Sequence, residues 1–167
     1  MSPERPVREP VADLATLKTE FTKIRNTIRG ELPHIHAFVD EAQSLVEAQG
    51  ISNLIGPHGR TLMHFAAMSE CSCILVSLLR GGASTETCDV YRRTPLSWAA
   101  EYGAVGSVEV LLRSGARINT RCWQGSTPVS YLVEAGPPTG PIGQPALHRC
   151  EHDATKECLL RHGAKGD

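Results

Sequence analysis

The sequence predicts an all-α solenoid of short helix-turn-helix units, and two recurring markers plus one amphipathic stretch carry that prediction. Thr94-Pro95-Leu96-Ser97-Trp98-Ala99-Ala100 lies 33 residues after Thr61-Leu62-Met63-His64-Phe65-Ala66-Ala67, and Thr127-Pro128-Val129-Ser130-Tyr131 lies 33 further on. Leu78-Leu79-Arg80-Gly81-Gly82-Ala83 returns as Leu111-Leu112-Arg113-Ser114-Gly115-Ala116 at the same interval. Two independent markers in one register define a structural period. The third observation is the run Leu14, Leu17, Phe21, Ile24 and Ile28, whose alternating steps of three and four draw one apolar stripe along a helix.

Each unit makes local physical sense. Thr-Pro opens a helix, because the threonine hydroxyl caps free amides and proline has no N–H to leave unbonded at the first helical position. The small pairs Ala66-Ala67 and Ala99-Ala100 allow neighbouring helices to approach closely. Gly103 ends the first helix, and Val108, Leu111 and Leu112 then place apolar groups on one face of a second. Leu75, Leu78 and Leu79 do the same one unit earlier. Gly82 and Gly115 stop these second helices, and the polar, turn-rich segments 84–93 and 117–126 lead to the next threonine.

These residues resemble the ankyrin repeat, a unit of about 33 residues with a T-P-L-H-x-A core. The resemblance implies two antiparallel helices per unit joined by turn or hairpin loops, and a partner protein bound through the turn tips and the exposed side of the first helices. It also implies that His64 hydrogen-bonds between units and that Phe65, Trp98 and Tyr131 pack between adjacent first helices. Ser97 and Ser130 replace the histidine later, which weakens that stitching.

The ends depart from the pattern. Leu45-Val46 falls 33 residues before Leu78-Leu79, so Glu31 to Asn53 reads as the second helix of an eroded repeat, with Pro33 near its start and Gly50 at its end. Leu159-Leu160-Arg161-His162-Gly163-Ala164 repeats the closing marker, but Gly163 lies 48 residues after Gly115. The segment 136–150, with three glycines and four prolines, reads as an inserted loop. The expected organisation is a disordered tail at 1–10, an amphipathic helix at 11–30, a degenerate repeat at 31–56, and repeats at 57–89, 90–122 and 123–167. The stripe on the first helix has two readings: a cap packed on the first repeat, or self-association through Leu14, Leu17, Phe21, Ile24 and Ile28.

Binding residues follow from the same register. The turn tips and first-helix surface supply His58, Arg60, Tyr91, Arg93, Tyr102, Arg121, Trp123 and Gln124. Tyrosine, tryptophan and arginine dominate binding energies because they bury large area or form forked hydrogen bonds. Against this stands the reading that Tyr91 and Trp123 fold back and merely stabilise their turns.

No phosphate loop, paired-carboxylate motif or nucleophile elbow is present, so no catalysis and no cofactor are expected. A zinc- or redox-responsive switch built on His148, Cys150, His152 and Cys158 is the competing function, although this spacing matches no standard zinc finger. A third reading makes the chain the repeat tail of a larger signalling protein. With a formal charge of -1 across 167 residues, there is no field to hold nucleic acid. No apolar run approaches the ~20 residues of a membrane span, and Met1 to Pro10 carries no apolar core of a secretory leader. A cytoplasmic or nuclear protein is expected, its six cysteines reduced.

Overall fold

The computed structural model describes residues 13–135 and 149–165. Eight helices lie among them: α1 (Leu14–Thr27), α2 (Pro33–Gln49), α3 (Leu62–Met68), α4 (Ser72–Arg80), α5 (Pro95–Glu101), α6 (Val105–Arg113), α7 (Pro128–Ala135) and α8 (Arg149–Arg161). No strand occurs among the described residues, only an antiparallel bridge between Ile55 and Thr61.

The helices form two layers. The first helices α3, α5 and α7 stack side by side, α4, α6 and α8 form the second layer, and each pair packs internally. Thr94 accepts the Ser97 amide at 3.4 Å and Pro95 starts α5, as the Thr-Pro signature requires. Ala66, Ala67, Ala99 and Ala100 are wholly buried. Each second helix closes with the same turn: Ala83, Ala116 and Ala164 donate to the carbonyls of Leu78, Leu111 and Leu159, all at 3.0 Å. Gly82, Gly115 and Gly163 hold φ of 92°, 89° and 95° there, a left-handed conformation that disfavours a Cβ.

His64 joins the first two units. Its Nδ1 accepts the Thr61 amide at 3.1 Å, so Nε2 carries the proton and donates to the Arg93 carbonyl at 3.0 Å. Ser97 and Ser130 bond to the hydroxyls of Thr94 and Thr127 within their own units.

At the N-terminal end α1 and α2 form a helical hairpin. Leu17, Phe21, Ile24 and Ile28 are buried, and α1 packs on both α3 and α4. The buried Glu20 carboxylate accepts the amides of Cys73 and Ile74, each at 3.0 Å, and so caps α4 from another helix. One unit later the carboxylate of Glu70 accepts the Gly106 amide at 2.9 Å, at the start of α6. The apolar stripe of α1 is therefore consumed inside the chain. This corrects the expectation of self-association through Leu14, Leu17, Phe21, Ile24 and Ile28, because only Leu14 remains exposed.

The 33-residue register assigns Leu45-Val46 to the second helix of an eroded repeat; α2 packs on α1 and the turn at 57–59 and reaches α3 through Phe38, while α1 packs on α4. The segment 136–148, most of the expected insertion, and the tail at 1–10 lie outside the described residues. No described helix is long and apolar enough to cross a membrane.

Candidate functional site

Three tight turns, here called fingers, precede the first helices. Each is spanned by a main-chain bond, from Gly56 to the Arg60 carbonyl (2.8 Å), Asp89 to Arg93 (3.1 Å) and Cys122 to Ser126 (3.1 Å). Neighbouring fingers are tied laterally: Val90 donates to the His58 carbonyl at 3.0 Å and Trp123 to the Tyr91 carbonyl at 3.1 Å. These bonds fix the finger tips as a continuous ridge.

The ridge carries most of the expected binding residues. His58 is exposed and lies between His34 and Tyr91, with ring centroids 5.9 and 6.5 Å away. Tyr91 is 53% and Trp123 69% exposed. Trp123 is nonetheless held, since its indole N–H donates to the Val90 carbonyl at 3.0 Å and Arg92 lies over its ring at 5.2 Å. The indole nitrogen is thus tied to the neighbouring finger while most of the ring stays exposed. Gln124 and Arg121 are exposed, with the Arg121 guanidinium bonded to the Gly125 carbonyl at 2.8 Å.

Arg60 and Arg93 are placed otherwise than expected. Both are buried, and they interleave with the aromatic series to form one ladder across the first helices. Arg60 lies 5.7 Å from the Phe65 ring and 4.6 Å from Trp98, and Arg93 lies 3.7 Å from Trp98 and 3.8 Å from Tyr131. The guanidinium is flat and weakly hydrated, so it stacks between rings where an ammonium would not. Arg93 also pairs with Glu101 at 2.6 Å, and Arg60 with Glu31 at 3.5 Å. Tyr102 is half-buried beside Trp98, and burial, followed by Glu101, pushes its phenol up to about 12.

Between the second and third fingers this arrangement leaves a cleft of about 230 Å³. Trp98, Tyr131 and Arg93 line it together with Tyr91, Trp123 and Gln124. Cys122 lines it too, and was not singled out as a binding residue from sequence. Its sulfur accepts the Tyr131 hydroxyl at 3.0 Å. Burial alone would raise this thiol, but Tyr131 together with the backbone of Gln124 and Ser126 holds it below the ordinary cysteine value. Arg92 was also missed; the 33-residue register could have flagged it, since Gly59 and Gly125 occupy its place in the other fingers.

A family profile described as ankyrin repeats, in three copies, matches residues 34–122. This chain belongs to the ankyrin-repeat family. The observed two-layer array is the all-α solenoid of that family, and ankyrin arrays serve in general as protein-protein interaction modules. In this ankyrin-repeat protein the profile spans the first two fingers and ends at Cys122, so the cleft lies at its C-terminal boundary.

Of the histidine-cysteine cluster, His148 and the side chains of Cys150 and His152, on α8, lie outside the described residues. Cys158 is buried, and burial raises its thiol. Its sulfur lies 3.9 Å from Nδ1 of His162, which the spacing argument did not include.

Proposed function

We propose that this ankyrin-repeat protein is a scaffold, adaptor or inhibitor that holds a partner protein along the finger ridge and the cleft beneath it. The observation that carries this reading is the state of Trp123: anchored through its indole N–H, and still 69% exposed beside a cleft. A ring held in place loses little freedom when a partner covers it, so most of its burial is kept as affinity. Tyr91 and His58 continue the same ridge, while Arg60 and Arg93 act from below by fixing the aromatic floor.

The test is a pull-down from native cells with the wild-type chain and a Tyr91→Ala/Trp123→Ala double variant. Loss of the captured partner with unchanged helical circular dichroism supports the reading. Retention of the partner by a folded double variant refutes it.

A further inference from the structure

We propose that the cleft between the second and third fingers seats an acidic segment of the partner, an aspartate or glutamate side chain flanked by an aliphatic one. This rests on the binding reading above and specifies the chemistry of its ligand.

The argument starts from the rings. Four aromatic side chains around a cleft would ordinarily suggest a cage for a cation. Here the cations are already built in: Trp98 carries Arg60 and Arg93, Tyr131 carries Arg93, and Trp123 carries Arg92. An incoming ammonium would find Trp98, Tyr131 and Trp123 each already carrying a guanidinium; Arg60 and Arg93 are compensated by Glu31 and Glu101, and Arg92, over Trp123 at the edge of the cleft, is left to repel it. Acceptors are scarce as well. The Asp89 carboxylate is fully engaged by the amides of Tyr91 and Arg93 and by the Trp98 indole, at 2.9, 2.9 and 3.0 Å. The Glu101 carboxylate is bound by Arg93.

Donors are in surplus. The Arg93 side chain is 9% exposed and its Nε has no hydrogen-bond partner. Arg92 forms no ion pair among the described residues. Its backbone points the same way: Arg92 holds φ of 58° where the flanking fingers have Gly59 and Gly125 at 69° and 81°. A side chain in that conformation is strained, and glycine avoids the strain. An exposed arginine in that place is explained by what it binds. The cleft, at about 230 Å³, is smaller than the ~300–1,000 Å³ of small-molecule sites and suits one or two side chains of a peptide.

The two tryptophans of the protein, Trp98 and Trp123, both line the cleft, so intrinsic fluorescence reports on it alone. The full chain is titrated with three synthetic peptides of equal length, alternating leucine with glutamate, glutamine or lysine. We expect saturable binding of the glutamate peptide, at least tenfold weaker binding of the other two, and loss of the preference in Arg92→Gly. That variant suits the backbone, so unchanged or raised thermal stability accompanies the loss; Arg92→Gln removes the charge with a side chain retained and serves as the second variant. Equal binding of all three peptides overturns the inference while leaving the binding reading intact. Preference for the lysine peptide overturns it, as does silence from all three, and the pull-down then decides separately whether the binding reading stands.

Discussion

Cys122 stands in the place that Asp89 holds one repeat earlier, and each accepts a bond from the aromatic side chain nine positions ahead, Tyr131 for Cys122 at 3.0 Å and Trp98 for Asp89 at 3.0 Å. Asp89 also accepts the amides two and four residues ahead. The Tyr131 hydroxyl, with the backbone of Gln124 and Ser126, holds the Cys122 thiol low although burial opposes ionisation.

Replacing the thiol by the residue of the preceding finger tests that relationship. Cys122→Asp is expected to raise stability by about 1 kcal/mol, since a carboxylate accepts more strongly than sulfur. Cys122→Ala is expected to lower it by a similar amount by leaving the donors unmatched. Urea denaturation at neutral pH measures both, and the reverse order would mean that burying a carboxylate outweighs its bonds.

Thiol reactivity gives an independent reading. Burial raises Cys71, Cys73 and Cys88, whereas the donors on Cys122 lower it. Alkylation followed by mass spectrometry across a pH series should show Cys122 labelling with a lower pH midpoint than Cys73 and Cys88. Cys71 should stay unlabelled until the chain unfolds.

The link between α1 and the repeats should depend on one carboxylate. Glu20→Ala strands the amides of Cys73 and Ile74 at the start of α4 and is expected to cost about 2 kcal/mol. Hydrogen exchange should locate the loss to α1 and α4. Uniform exchange across all helices would show that α1 contributes no local cap.

Stability should fall with acidification through His64. Burial, the largest influence, holds its pKa below the ordinary 6.5 and outweighs the opposing bond to the Arg93 carbonyl. Because the folded value is the lower, the unfolded chain takes the proton first as pH drops. The contribution of neutral His64 is complete above about pH 6.5 and is lost progressively below it. His64→Ser, the residue found at this position in the next two units, should flatten that dependence in thermal melts.

The arginine ladder should not tolerate a change of cation. Arg93→Lys keeps the charge but loses the plate between Trp98 and Tyr131, and is expected to cost about 1–2 kcal/mol. A double-mutant cycle with Tyr131→Leu should show that the two effects are coupled. Additive effects would show that Arg93 acts only through Glu101.

How legible these features were in the sequence depends on the distance over which each is decided. Thr94-Pro95, the paired alanines and Gly115 act within a turn or two of chain, so the helices and their stops could be read directly. Arg60 and Arg93 could not be placed that way. A position at the base of a finger is exposed in an isolated unit, and both residues are buried only because the next unit brings Trp98 or Tyr131 over the guanidinium. Phe65 and Trp98 are buried, as the resemblance implies, while Tyr131 is half-buried, and the cleft that Trp98 and Tyr131 share with Trp123 depends on how two fingers stand side by side.

By itself the sequence determined the 33-residue period, the helix boundaries it implies, the family, and the apolar face of α1, because each is written in local spacing and composition. The tertiary structure alone decided what that face would cover. Amphipathicity states that a stripe must be buried, not against what, and the bond from Glu20 to the start of α4 joins residues more than fifty positions apart. The same holds for Cys122, whose meaning appears only when the third finger is laid beside Asp89 in the second and each is found accepting a bond from the aromatic side chain nine residues on.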